Sequence, residues 1–112
     1  MKGVWSATVC ALGLILTASP SAQAVDTGAK VYADQKCATC HSIAGRGNAK
    51  GALDDVGSKL TPDEIRAWIV DPVGMTAKHK AARKPMMPAK YSSLPKDDLD
   101  ALVAYMSSLK KK

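Results

Sequence analysis

The sequence predicts a small all-α domain with long loops. Three segments place apolar side chains at helical spacing, and no segment shows the strict apolar–polar alternation of a half-buried strand. Between these segments, Ser42–Lys59 and Val73–Leu94 carry no regular pattern. Irregular stretches of this length are unusual in a compact domain unless they have a function, which here would be to wrap a large ligand.

An amino-terminal leader is expected before this domain. Residues 1–24 have the pattern of a secretory signal peptide, with Lys2 at the start, an apolar run, and Ala22-Gln23-Ala24 as the cleavage site. The apolar run is shorter than the ~20 residues that span a bilayer, which disfavours the alternative of a retained membrane anchor. We therefore expect cleavage after Ala24, export to the periplasm without stable membrane insertion, and one mature domain of residues 25–112.

Each of the three helices has its own signals. The first is expected from about Thr27 to Cys40. The second should begin after Thr61, an N-cap that is followed by proline and completed by Glu64 as a capping box, and should end at Asp71 because another proline follows. The third should begin near Pro95. The expected buried stripes are Gly28, Val31 and Tyr32 in the first helix, Ile65, Trp68 and Ile69 in the second, and Leu99, Leu102, Val103, Met106 and Leu109 in the third.

The segment Cys37-Ala38-Thr39-Cys40-His41 carries the chemistry. C-x-x-C-H is the pattern at which haem becomes covalently attached. Two cysteines on one turn bring both sulfurs to roughly one face, where each can form a thioether with a haem vinyl group. The residue that follows, His41, can then offer an imidazole nitrogen to the iron. The motif therefore predicts one covalent haem c with its iron.

The cysteine count limits the alternatives. Cys10 would leave with the leader, so that Cys37 and Cys40 alone would remain in the mature chain. A close pair in an exported protein can form a redox disulfide, half a zinc site or a haem attachment. Zinc would need a second pair of ligands, and the chain has one further histidine, His79. A thiol–disulfide oxidoreductase normally places its cysteines after a strand of an α/β domain, and this pattern is missing.

The mature sequence resembles the class I monohaem cytochromes c of the small bacterial periplasmic type. The shared features, in order, are Gly28-x-x-Val31-Tyr32, the C-x-x-C-H motif, a glycine-rich loop that leads to Leu53-Asp54-Asp55-Val56-Gly57, a middle helix with Trp68, Met87-Pro88-Ala89, and Leu102-Val103-Ala104-Tyr105. The resemblance implies a cytochrome c fold, in which three main helices and long loops wrap one covalent haem. It also implies that Gly28 meets the last helix near Tyr105.

One departure from the family pattern follows the haem histidine. The family commonly has a proline in this loop, and the carbonyl of that proline orients the imidazole. Residues 48–53 contain no proline. A carbonyl from Gly51 or Ala52 is expected to accept the His41 ring N–H instead.

Several side chains compete for the second axial position on the iron. The candidates are Met75, His79, Met86, Met87 and Met106. Met106 continues the stripe of the third helix and is expected in the core, while His79 lies between two lysines in a stretch expected to be solvated. Met86 and Met87 lie between two prolines, which limit the freedom of the backbone. The family's ligand methionine is usually followed by proline, which favours Met87 with Met86 as second choice.

The charge pattern bears on partners. Lys and Arg outnumber Asp and Glu by 16 to 10 in the full chain. Five basic residues crowd the segment around Met87: Lys78, Lys80, Arg83, Lys84 and Lys90. They form either an ordinary solvated loop or a positive surface that steers redox proteins with acidic docking surfaces. Nucleic acid is disfavoured as a partner, because the chain is expected to be exported and lacks a nucleic-acid motif.

The expected function is electron transfer rather than catalysis, and no catalytic residue is expected. Histidine and methionine together fill both axial positions of the iron, leaving no open position for a substrate. The sequence thus favours a periplasmic one-electron carrier that shuttles between respiratory partners. A dedicated haem c subunit of a larger oxidoreductase complex is the alternative, and sequence alone does not separate the two.

Overall fold

The computed structural model describes residues 3, 13 and 22–111, and it confirms a mostly helical architecture. The α-helices of this part of the chain are α1 (Ala22–Asp34), α2 (Val56–Lys59), α3 (Pro62–Val70), α4 (Pro72–His79) and α5 (Lys96–Ser108). Short 3-10 turns occupy Cys37–Thr39, Ala49–Gly51 and Ala89–Ser93. A small antiparallel hairpin pairs β1 (Ser42–Ile43) with β2 (Arg46–Gly47).

The first predicted helix ends earlier than expected. It stops at Asp34 instead of Cys40, and the prediction was wrong there. Lys36 adopts a left-handed backbone conformation with φ 56°, which a right-handed helix cannot continue. The two cysteines therefore lie on a separate 3-10 turn.

Regular structure also occurs where the sequence predicts irregular loops. The stretch 42–59 contains the hairpin, a 3-10 turn and the one-turn helix α2, and the stretch 73–94 contains most of α4. Asp71 ends α3, and its carboxylate accepts a hydrogen bond from the backbone N–H of Gly74 at 3.0 Å. The Asp-Pro pair therefore separates two helices, because it caps and opens α4 as well as ending α3.

The capping box at the start of α3 is confirmed. The Thr61 hydroxyl accepts from the Glu64 backbone N–H at 3.2 Å, and the Glu64 carboxylate accepts from the Thr61 N–H at 3.1 Å. These bonds satisfy two backbone donors near the start of the helix.

The terminal helices cross at Gly28, as the family resemblance implies. A Cβ at this position would lie 2.1 Å from the Ala101 carbonyl oxygen and 2.5 Å from the Tyr105 Cβ. Close to the crossing, the rings of Tyr32 and Tyr105 meet edge to face with centroids 5.9 Å apart. The missing side chain is therefore what lets α1 and α5 approach to backbone contact.

The hydrophobic core joins α1, α3 and α5. Its buried members are Val31, Ile65, Ile69, Tyr91, Leu102, Val103 and Met106. Met106 lies in this core, as its place in the apolar stripe predicts. On the surface of the same helix pair, Arg66 of α3 forms an ion pair with Asp100 of α5, with Nη2 and Oδ1 2.6 Å apart.

The predicted leader lies outside the described residues except for Gly3, Gly13 and 22–24, and the last three form the beginning of α1. Throughout the part of the chain that is described, helices fall short of the length and apolarity needed to cross a membrane.

Candidate functional site

The turn that bears the two cysteines is held by its own backbone. The N–H groups of Cys40 and His41 both donate to the Cys37 carbonyl, at 3.1 and 2.9 Å. Cys37 and Cys40 are partly buried, and neither forms a disulfide. Two unpaired thiols thus share one turn and remain available for attachment.

Burial raises the pKa of the Cys37 thiol, and the neighbouring Cys40 contributes in the same direction. The catalytic cysteine of a thiol–disulfide enzyme needs the opposite shift, because the thiolate is the nucleophile. The environment of Cys37 therefore disfavours the thiol–disulfide alternative.

The imidazole of His41 is oriented by a backbone carbonyl. His41 Nδ1 lies 3.0 Å from the carbonyl oxygen of Gly51, which decides between the two carbonyls expected from the sequence. A carbonyl only accepts hydrogen bonds, so Nδ1 carries the proton and Nε2 keeps its lone pair. Burial lowers the pKa of His41, and the charge of Arg83 adds to this, while the Gly51 hydrogen bond opposes it. The net effect favours the neutral imidazole, the form that binds a metal.

Glycine is required at residue 51 for steric reasons. A Cβ there would lie 2.2 Å from the Cys40 carbonyl oxygen and 2.3 Å from Arg83 Nη1. The absent side chain lets this loop approach the cysteine turn closely enough for its carbonyl to reach the histidine. Glycine at this place does the positioning that the family usually assigns to a proline.

The loop carrying Gly51 is fastened back onto the motif by backbone groups. Asn48 N–H donates to the His41 carbonyl at 2.9 Å, and Leu53 N–H donates to the carbonyl of the buried Ser42 at 2.8 Å. Farther along, the Asp54 carboxylate accepts from the Ala44 N–H at 2.7 Å. The acceptor of the histidine proton is therefore part of a well-fixed loop.

The candidates for the second iron ligand differ in their surroundings. Met75 is buried on α4, while Met86 is 37% exposed. Met87 is partly buried, packs against the core, and lies in a segment without helix or strand. The exposed His79 ends α4, with its ring 5.6 Å from that of Trp68. Met87 thus combines partial burial with an irregular backbone, and its role as a ligand stays a prediction.

Arg83 has a contact that sequence reasoning did not anticipate. Its guanidinium donates a hydrogen bond to the Cys40 carbonyl, although the two residues are 43 positions apart. In the sequence Arg83 is one of several cations near Met87, and no local pattern distinguishes it. The contact depends on how two loops meet, which residue spacing does not encode.

The sequence of this chain is similar to that of known proteins. The cytochrome c family model matches residues 25–110. A curated relative, cytochrome c oxidase subunit 2 of Alkalihalophilus pseudofirmus, is 29% identical over 100 residues. The match covers 81% of the present chain, which spans only 27% of that relative. No solved structure matches the chain.

The chain belongs to the cytochrome c family. Proteins of this family carry haem c and serve in electron transfer, and the size of the matched region is consistent with the monohaem class I type.

The side chains of the site fit a covalent haem c. The family implies this cofactor and its iron. The structure supplies two free thiols on one turn and an imidazole whose Nδ1 is engaged, leaving Nε2 for a metal. In the described residues, no group of three or more His, Cys, Asp and Glu side chains comes together to hold a metal ion by itself. The two cysteines would thus attach the haem through thioether bonds, and His41 would supply one nitrogen to its iron.

Proposed function

We propose that the protein is an exported one-electron carrier with haem c held by Cys37 and Cys40 and with His41 and Met87 as axial iron ligands. The observation that carries this proposal is the hydrogen bond from His41 Nδ1 to Gly51, next to two unpaired cysteines of the same turn. This bond selects the imidazole nitrogen that is left for the iron.

The bound haem supplies the Fe(III)/Fe(II) couple, and the residues of the chain set its surroundings. His41 provides a neutral nitrogen of fixed orientation, because its other nitrogen is held by Gly51. The thioether of Met87 is a soft ligand, which favours the ferrous state and raises the potential. With His41 and Met87 both holding the iron, no ligand position would be left for a substrate, and the haem would serve in one-electron transfer.

Replacing Met87 tests the ligand set. We expect Met87→Ala to abolish the absorption band near the red end of the visible spectrum that marks ligation of iron by a thioether. Met86→Ala is the matched control, since it removes the same side chain one residue earlier, where it is more exposed. That variant should keep the band. A band that survives in Met87→Ala and disappears in Met86→Ala would move the assignment to Met86.

We also propose that residues 1–24 are removed after Ala24 during export to the periplasm. The support is the Ala22-Gln23-Ala24 pattern, together with a family match that starts at residue 25. Amino-terminal sequencing of the exported protein should begin at Val25. Recovery of the full-length chain in the membrane fraction would contradict the proposal.

Redox proteins with acidic docking surfaces are the proposed partners. Four exposed lysines lie within the segment that bears Met87 or close to its ends: Lys78, Lys80, Lys84 and Lys90. Exposed cations around a redox centre attract an acidic partner over distances set by the ionic strength. These lysines should therefore increase the rate at which the protein associates with an acidic redox partner.

A haem c subunit of a larger oxidoreductase complex is the second candidate. The observation that favours it is the relative from Alkalihalophilus pseudofirmus, which is a cytochrome c oxidase subunit 2 almost four times as long as the matched region. Gentle isolation from the native host distinguishes the two. A free carrier should migrate alone, whereas stoichiometric co-purification with other subunits would support the complex.

A further inference from the structure

Arg83 joins two parts of the chain that the proposed function needs together. It lies in the segment 80–88, which leads from the end of α4 to the 3-10 turn at Ala89–Ser93 and carries Met87. Its Nη2 donates to the carbonyl of Cys40, the second cysteine of the attachment motif. The proposed sulfur ligand and the attachment turn are thus connected by one side chain.

The same guanidinium also lies against the residue that orients the histidine. A Cβ on Gly51 would lie 2.3 Å from Arg83 Nη1 and 2.9 Å from Arg83 Cζ. The carbonyl of Gly51 accepts the His41 Nδ1 proton. Arg83 therefore contacts the surroundings of the nitrogen ligand while it belongs to the segment of the sulfur ligand.

Apart from the packing of Met87 itself against the core, the segment that bears it has few other anchors. Residues 81–86 are exposed and form neither helix nor strand. The beginning of the segment is held by a bond from the Ala81 N–H to the Thr76 carbonyl at 3.0 Å, and the buried Tyr91 follows its end. Exposed backbone with few buried contacts opens easily, so a ligand on it is readily lost unless something holds it.

Arginine is suited to this task. Its guanidinium is always charged and presents donors in a fixed plane, and a charged donor forms a stronger hydrogen bond than a neutral one. The contact with the Cys40 carbonyl uses one donor, while the plane of the group rests beside Gly51. A shorter or neutral side chain would lose this geometry.

We propose that Arg83 is a positioning residue that ties the segment bearing Met87 to the haem-attachment turn and so keeps the thioether on the iron. The inference rests on the proposed function, because it takes Met87 as the ligand. Arg83 itself does not bind the metal and acts through the position of the segment.

The test measures how easily an added ligand displaces the thioether. Imidazole is titrated into the ferric holoprotein, in wild type and in Arg83→Gln, Arg83→Lys and Arg46→Gln. Loss of a hydrogen bond with a charged donor should make apparent imidazole binding about tenfold tighter in Arg83→Gln. Arg83→Lys, which keeps the charge but not the planar fork, should resemble Arg83→Gln more than wild type.

Arg46→Gln is the matched control, because it removes the same charge from an exposed arginine on β2. Its imidazole affinity should equal that of the wild type. Unchanged affinity in Arg83→Gln, an equal gain in Arg46→Gln, or full restoration by lysine would overturn the positioning role. None of these results would affect the assignment of Met87, which the loss of the iron–thioether band in Met87→Ala tests separately.

Discussion

Gly28 and Gly51 occupy positions where a side chain would collide with backbone atoms. Gly28 allows the crossing of α1 and α5, and Gly51 allows one loop to reach both Cys40 and His41. In each case the nearest obstacle is a carbonyl oxygen, which cannot move aside as a flexible side chain can. The two residues therefore fix distances within the fold and within the site.

The Gly28→Ala variant tests the helix crossing. Alanine is the better helix former by about 1 kcal/mol, so an unconstrained helix would gain stability. Here the new methyl group must separate α1 from α5, and we expect a net loss of about 1–3 kcal/mol in the free energy of unfolding. Urea denaturation of the holoprotein measures the difference. Lys30→Ala, an exposed change on the same helix, should have little effect, and a stabilised Gly28→Ala variant would contradict the close crossing.

Among the elements, the contact between α3 and α5 depends on charge as well as on apolar burial. Asp100 accepts hydrogen bonds from Lys96 on its own helix and from Arg66 on α3. The bonds from Lys96 and then Arg66 lower the pKa of Asp100 from its usual 3.8. The carboxylate is thus more favourable in the folded protein than in the unfolded chain.

This shift predicts a pH-dependent effect for Asp100→Asn. Because the folded pKa is depressed, the contribution of the carboxylate is present above pH 3.8 and is lost as the pH falls through the folded pKa. The variant should be less stable than wild type at neutral pH, and the difference should shrink in acid. Denaturation across a pH series measures it, with Asp34→Asn at the exposed end of α1 as control. A difference that persists unchanged in acid would exclude the ionic contribution.

The elements also show what sequence can predict. The start of α3 follows from three adjacent residues, Thr61, Pro62 and Glu64, because capping is local. The same local chemistry at Asp71 opens α4. A proline after an aspartate can also end a helix, and for this reason the sequence did not predict α4. The early end of α1 arises at Lys36, a residue type that does not mark a left-handed conformation.

For the site as well, sequence predicts what depends on local chemistry and misses what depends on tertiary structure. The role of the motif could be predicted because covalent attachment requires these residues at this spacing, and the family resemblance implied a carbonyl beside His41. Which carbonyl does so depends on how the loop folds back, and the structure selects Gly51 over Ala52. The contact of Arg83 with Cys40 spans 43 residues and depends on tertiary structure alone.

For the whole molecule, the position of the exposed cations predicts salt-sensitive electron transfer. Charge reversal in Lys84→Glu should slow reduction by an acidic redox partner, and rising ionic strength should slow the wild type toward the rate of the variant. Stopped-flow rates over a salt series measure this. Lys30→Glu makes the same change at an exposed residue of α1, outside the segment that bears Met87, and should have the smaller effect. Equal effects from the two substitutions would show that the net charge of the protein sets the rate and that the position of Lys84 does not.

The central claim, a haem joined to the polypeptide at Cys37 and Cys40, is tested most directly by the mass of the exported protein. Expression in a host able to attach haem should give a coloured product, and the peptide containing both cysteines should carry the mass of one haem through denaturation and proteolysis. A colourless product, in which that peptide has the mass of its amino acids alone, would contradict the claim.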